Sequence, residues 1–224
     1  METDGVNRPV AATTILLIRH GETAWNAERR LQGHTDIELN EEGRRQAQAL
    51  GLALNNTPLD AVFASDLRRA HQTAQAVATH HGLPVQQDVA LRERCYGGFE
   101  GLPYVDIERR YPVEYAAWQA RDVDALMPHG NRTAESFRQF YHRSVAAILR
   151  LALAHPGQTL ALVAHGGVLE CAYRAATEMP LDSARDFAVK NASINRFTVR
   201  GGVLALTAWG DCAHLNGRAL DEQG

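Results

Sequence analysis

The chain has 224 residues, 45% hydrophobic and 22% charged, which places it with ordinary globular proteins and supplies a sizeable core without staples. A formal charge of −3 and a pI near 6.4 create no general field for nucleic acid or acidic membrane, so any anion site has to come from a local cluster of cations. Three cysteines, Cys95, Cys171 and Cys212, form no C-x-x-C pair and suit a reducing compartment, where their role is packing.

Residues 1–12 read as a loose leader, polar with Gly5 and Pro9. Its acidic Glu2 and Asp4 stand where a signal peptide would be basic, and the only apolar run nearby is far too short to span a bilayer. The expectation is a cytoplasmic protein without membrane or nucleic-acid partners. One domain over 13–210 follows, with a weakly held tail over 211–224.

The first strand, Ile15-Leu16-Leu17-Ile18, delivers Arg19-His20-Gly21. Asn40 then precedes a helical pattern through Ala47, Leu50 and Leu54, which Asn55-Asn56-Thr57-Pro58 ends. A short strand over 59–64 leads to Ser65 or Asp66 as the cap of a second helix, with Leu67, Ala70, Ala74, Val77 and Ala78 on its apolar face. His81-Gly82-Leu83-Pro84 stops it, and Val85 begins another short strand. Residues 95–133 mix glycine, proline, aromatics and arginines around one brief helical stretch near 105–119, as expected of an insertion over a sheet edge that sets substrate choice. Thr133 caps a long helix marked by Phe137, Phe140, Tyr141, Val145, Ile148 and Leu151, and Pro156-Gly157 separates it from a strand ending Val163-Ala164-His165-Gly166. Residues 195–199 and 203–209, joined across Gly201-Gly202, read as a terminal hairpin. The alternation predicts an α/β fold: a three-layer sandwich with a mostly parallel central sheet, helices on both faces and an insertion covering the active-site edge.

Two apolar strands thus end alike, in His20-Gly21 and His165-Gly166. If both are buried and parallel, their carboxyl ends share the edge where open α/β sheets bind ligands, and two imidazoles distant in sequence meet. Alone, Arg19-His20-Gly21 also fits strand-end residues paired with surface carboxylates. Thr23 and Asn26 add hydrogen-bonding groups, however, and Arg68 and Arg69 put two guanidiniums in the first turn of a helix, where backbone amides attract anions too.

The run Leu17-Ile18-Arg19-His20-Gly21-Glu22-Thr23-Ala24-Trp25-Asn26 resembles the signature of the histidine phosphatase superfamily, the phosphoglycerate mutase-like proteins. The likeness continues through Gln32-Gly33-His34-Thr35-Asp36, Ser65-Asp66-Leu67-Arg68-Arg69-Ala70, Leu91-Arg92-Glu93-Arg94-Cys95-Tyr96-Gly97 and Val163-Ala164-His165-Gly166. The resemblance implies that His20 is phosphorylated during turnover and that Arg19, Arg69 and His165 bind the phosphoryl group, with Thr23, Asn26 and Gln32 at positions that contact phosphate or substrate. It implies Glu93 as the proton donor and acceptor, a role calling for a carboxyl near neutral pKa, while Glu22 holds the loop and Arg68 stays a solvated surface cation. No metal and no cofactor are required. The implied activity is a metal-independent phosphomonoester phosphatase acting through phosphohistidine on a small phosphorylated metabolite. The alternative is a cofactor-dependent phosphoglycerate mutase, but mutases carry a longer insertion and a histidine where this chain has Cys95. A metal hydrolase lacks a ligand motif here, and a silent binding module would not need every chemical position filled. Within the cover, Tyr104, Trp118, Met127, His129 and Arg132 are candidates for reading the substrate or for the cover's own packing and surface.

Overall fold

The protein is described by a computed structural model covering residues 11–217 and 219–221. In chain order its elements are β1 (Thr13–Arg19), a single turn α1 (Ala24–Ala27), α2 (Glu41–Leu54), β2 (Ala61–Ala64), α3 (Arg68–Thr79), β3 (Val85–Gln87), α4 (Tyr104–Arg110), α5 (Pro112–Gln119), α6 (Phe137–Ala154), β4 (Thr159–Ala164), α7 (Gly166–Thr177), β5 (Ile194–Arg200) and β6 (Val203–Asp211). The strands form one sheet in the order β3-β2-β4-β1-β5-β6. β1 to β4 run parallel, β5 lies antiparallel to β1, and β6 antiparallel to β5. Parallel neighbours need crossovers, which the helices supply, whereas the last two strands need only the Gly201-Gly202 turn.

Successive side chains of a strand point to opposite faces, and both faces here are covered. Ile15 and Leu17 of β1 enter a core with Phe140, Ile148 and Leu151 of α6 and Val168 and Leu169 of α7. Leu16 and Ile18 enter the opposite core with Leu50 and Leu54 of α2 and Ala70, Ala74 and Val77 of α3. All four strand residues are fully buried, each worth roughly 1.5–3 kcal/mol over exposure, so the strand that ends in His20 is anchored from both sides. The predicted three-layer arrangement is therefore present. Among the described residues, no helix is long and apolar enough to cross a membrane.

Residues 95–133 carry α4 and α5 and build a small core of their own. Phe99, Ile107 and Met127 pack with Leu31 from the loop after β1, and Tyr96, Tyr104, Tyr111, Tyr115 and Trp118 close around them.

Two helix starts differ from expectation. Neither Ser65 nor Asp66 caps α3, whose N-cap is Leu67. The Asp66 carboxylate is engaged by Arg92 through Nε at 2.7 Å and Nη2, and Asp36 takes its place by accepting the Arg68 amide at 2.7 Å. Thr133 does not cap α6 either. Ser136 does, because Gln139 completes a reciprocal box: its amide donates to Ser136 Oγ at 3.2 Å while its side chain accepts the Ser136 amide at 2.9 Å. The helix α7 directly after the second histidine is an addition to the expected elements. Of the predicted leader, residues 1–10 lie outside the described residues, as do 218 and 222–224 of the tail. The described part of that tail is better held than expected: the Leu220 carbonyl accepts the Asn191 amide at 2.9 Å, and Asp221 Oδ1 accepts the Val189 amide at 2.6 Å.

Candidate active site

β1 and β4 are neighbours in register, with Arg19 opposite Ala164, so the next residue of each leaves the sheet side by side. Those residues are His20 and His165. The His20 amide donates to the Ala164 carbonyl at 3.0 Å, and the two rings lie 5.2 Å apart between centroids with 62° between their planes. His20 Nδ1 is 2.7 Å from the carbonyl oxygen of Gly21. A carbonyl only accepts, so Nδ1 carries the proton and Nε2 keeps its lone pair. Asn191 Nδ2 holds the His20 carbonyl at 3.0 Å.

Two arginines flank the pair. Arg19, at the last position of β1, donates through Nη1 to the Val189 carbonyl at 2.5 Å. Arg69, in the first turn of α3, donates through Nη2 to Gly33 and through Nη1 to Thr35, at 2.7 and 2.9 Å. Both are buried, and these carbonyls orient the forks without adding an anionic charge. Arg19, His20, Asn26, Gln32, Arg69 and Glu93 line one cavity of about 290 Å³. His165 is wholly buried against the His20 ring, and neither of its ring nitrogens has a hydrogen-bond partner among the described residues. Buried polar atoms are nearly always paired, so this imidazole, next to a cavity-lining histidine, is left short of a partner.

Burial, and then the nearby Arg69 and Arg19 guanidiniums, hold His20 well below the ordinary imidazole range. Burial, Arg69 and His20 do the same to His165. Both rings are therefore neutral near pH 7 before an anion arrives. An unfolded chain protonates these histidines near pH 6.5 while the folded one does not. In that window the unfolded state binds more protons, and stability must rise with pH. Urea unfolding is expected to show increasing stability from about pH 5 to 7, with a smaller slope in a His165→Asn variant. Asp66 and Glu135, whose arginine partners lower them, lose their contributions only in more acidic solution. A flat profile above pH 5 would mean that the rings are not held neutral.

Glu93 is fixed at both ends. Its Oε1 accepts the Arg94 amide at 2.8 Å and its Oε2 the Gly167 amide at 3.0 Å. A Cβ on Gly167 would fall 2.3 Å from Glu93 Oε1 and 2.8 Å from the Phe140 ring, so glycine is what lets this amide reach the carboxylate. The Glu93 carbonyl accepts from His34 Nε2 at 2.7 Å and Arg143 Nη2 at 3.0 Å. Arg143 also holds the Ala90 and Arg92 carbonyls and pairs with Glu135 at 2.7 Å. Neither neighbouring arginine forms an ion pair with the Glu93 carboxylate: Arg92 goes to Asp66 and Arg94 to backbone carbonyls.

Of the predicted phosphate contacts, Arg19, Arg69, Asn26 and Gln32 reach the cavity wall. Thr23 does not. Its hydroxyl and amide are spent on the turn of α1, where Oγ1 accepts the Asn26 amide at 3.1 Å, its amide donates to Asn26 Oδ1 at 3.0 Å, and Oγ1 lies 3.1 Å from Gln32 Oε1. Thr23 thereby engages the carbonyl ends of both amides, whose residues line the cavity. Glu22 holds the loop as expected, accepting from Asn40 Nδ2 at 2.8 Å, and Arg68 is an exposed cation beside Asp36. In the cover, Tyr104 lines this cavity and a second one, and Trp118 lines the second. Met127 is core, Arg132 pairs with Glu100, and His129 is exposed. Sequence reasoning missed the Arg143–Glu135 clamp, because α6 was legible only through its apolar face, and the carbonyl of Val189, which no side chain announces. Among the described residues, no three His, Cys, Asp or Glu side chains gather to hold a metal ion.

Residues 15–212 match the model of the histidine phosphatase superfamily, branch 1. The chain is 38% identical over 214 residues to phosphoglycerate mutase-like protein 4 of Arabidopsis thaliana, covering 94% of this chain and 90% of that one. It is 35% identical over 215 residues to a metal-independent phosphoserine phosphatase of the same plant, covering 95% and 87%. Among solved structures it is similar to YhfR of Bacillus stearothermophilus, with a TM-score of 0.82 and 34% identity over 91% of this chain and 99% of that one.

Proposed function

Because the chain belongs to branch 1 of the histidine phosphatase superfamily, we propose that it is a metal-independent phosphomonoester phosphatase working through a phosphohistidine on a small phosphorylated metabolite. Residues 13–210 act as one catalytic domain with 95–133 as its cover. The observation that carries the reading is the buried His20 ring, whose Nδ1 proton is committed to the Gly21 carbonyl and whose Nε2 lone pair remains for attack beside Arg19, Arg69 and His165.

In the first step His20 Nε2 bonds to phosphorus, the ester P–O bond breaks, and the leaving alkoxide takes a proton from Glu93. In the second, water attacks the phosphohistidine, Glu93 accepts its proton, the P–N bond breaks, and inorganic phosphate leaves. Such a transition state spreads charge over three non-bridging oxygens, so fixed cations are the main need. Arg19 and Arg69 supply guanidinium forks that match two oxygens each. An attraction of roughly 4 kcal/mol per charge pair at 4 Å, at an effective dielectric near 20, is the scale of each. His165 becomes the third donor: an arriving phosphate dianion offsets the positive neighbours that keep its ring neutral, and the ring takes up a proton. Uncatalysed phosphomonoester hydrolysis is slow enough to need accelerations of up to about 10²¹-fold, and two steps with fixed charges are a route to them.

The name of the Arabidopsis relative supports turnover without a metal and with a small phosphorylated substrate. A mutase reading is weaker, since Cys95, where mutases carry histidine, is buried and lines neither cavity. The reading is tested by quenching turnover of an aryl phosphate in alkali and locating the phosphoryl group by mass spectrometry. A transient adduct on His20, with steady-state rates unchanged by chelator, is the expected result. Chelator-sensitive hydrolysis with no adduct would overturn it.

A further inference from the structure

Beyond Glu93, away from the His20 cavity, lies a second cavity of about 260 Å³ under the cover. The two share Tyr96 and Tyr104, and Glu93 sits at their partition: it lines the first, while Gly167, whose amide it accepts, lines the second. A phosphomonoester with phosphorus at His20 and its ester oxygen at Glu93 therefore sends its alcohol portion into the second cavity.

What waits there is a buried cation. Arg94 is 3% exposed. Its Nε donates to the Glu135 carbonyl at 2.9 Å and its Nη2 to the Ala125 carbonyl at 3.2 Å, and its guanidinium lies over the Tyr96 and Phe137 rings at 5.3 and 6.0 Å. Among the described residues its hydrogen bonds run through Nε and Nη2 only and it forms no ion pair, while Arg94 is part of the cavity wall. Burial lowers the guanidinium from its ordinary range, and the nearby Glu135 and Glu93 offset this only in part, so the buried charge costs stability unless a closer partner compensates it. The wall sets the charge of that compensation. Arg94, Arg121, Arg185, Glu170 and Asp122 line the cavity, with the Glu93 carboxylate at the partition, a mixed set of charges that suits a monoanion better than a second phosphate with about two negative charges.

We propose that the second cavity is a leaving-group subsite in which Arg94 binds a carboxylate, so that the physiological substrates are phosphomonoesters of hydroxy acids rather than of neutral alcohols. This rests on the phosphatase reading and names the substrate class of the same site. Arginine is suited to the task because two N–H groups can meet both carboxylate oxygens at once.

The test compares substrates differing only in the carboxylate: 3-phosphoglycerate against glycerol 3-phosphate, and O-phosphoserine against O-phosphoethanolamine. The wild-type protein is expected to favour the acid of each pair in kcat/KM by roughly tenfold to a hundredfold, the scale of a charge-assisted hydrogen bond in a buried site. In Arg94→Met the ratio falls toward one, and in Arg94→Lys it is intermediate. Should Arg94→Met not fold, the wild-type ratios and Arg94→Lys still decide. Wild-type ratios near one, or a ratio that survives in folded Arg94→Met, overturn the proposal. Hydrolysis of p-nitrophenyl phosphate by the wild type, lost in His20→Ala, keeps the phosphatase reading standing in that event. Absence of hydrolysis with every ester overturns both.

Discussion

Replacing His20 with alanine is expected to lower kcat on any phosphomonoester by at least about 10⁴-fold, the scale seen when a covalent nucleophile is removed and only binding and charge stabilisation remain. The ring lies at the end of a strand buried on both faces, so the backbone that presents Arg19 does not depend on it. Arg69 belongs to α3 and keeps its bonds to Gly33 and Thr35, and His165 directly follows β4. The variant should therefore fold and still bind inorganic phosphate within about tenfold of the wild type. A large loss of turnover with retained phosphate binding is what separates a nucleophile from a mere phosphate ligand. A decrease of only a few-fold, measured on a protein with native circular dichroism, would falsify the assignment of His20. A parallel loss of phosphate binding would instead assign it to recognition.

Most of this candidate site was legible because both histidines follow apolar runs that read as buried strands, which brings the two rings together if the strands are parallel. Ile15 to Ile18 alternate between two cores, so every position had to be apolar, and the strand was visible without any alternation. Arg69 shares its first helical turn with Arg68 and, like Glu93, was singled out by the resemblance of its segment to the histidine phosphatase motifs. What stayed hidden depends on partners that a linear reading does not pair. Asp66 is an ordinary N-cap residue until Arg92, 26 positions later, engages it, and Thr133 loses to Ser136 only because Gln139 answers back. Thr23 has the chemistry of a phosphate ligand, yet an Asn three residues on makes it a helix cap. Arg94 and Arg143 were invisible for a different reason: their burial depends on how α6 and the cover close over 90–95, which is a matter of tertiary packing alone.

Glu93→Gln is expected to slow alkyl phosphates by about 10²- to 10⁴-fold in kcat/KM, the usual worth of a positioned acid, while p-nitrophenyl phosphate loses far less. The carboxylate accepts one backbone amide on each oxygen. A carboxamide can accept on only one end, and its amino group then faces an N–H, at a cost of about 1–3 kcal/mol for the spoiled pair. Some loss of stability is thus built into the variant, and an absolute rate would confound it with catalysis. The ratio between leaving groups does not, because both substrates meet the same distorted protein and the same His20. An alkoxide cannot depart without a proton, whereas p-nitrophenolate leaves as a stabilised anion, so phosphorylation of His20 should proceed with the aryl ester. Dephosphorylation still lacks its base, since the water that attacks phosphohistidine finds a carboxamide where the carboxylate would have taken its proton. The variant should accordingly release a rapid burst of p-nitrophenolate, close to one per active site, followed by a slow steady state limited by hydrolysis of the adduct. Stopped-flow absorbance measures both phases. Equal slowing of alkyl and aryl esters in kcat/KM with no burst would place the proton transfer elsewhere and leave Glu93 as a structural anchor between the Arg94 and Gly167 amides.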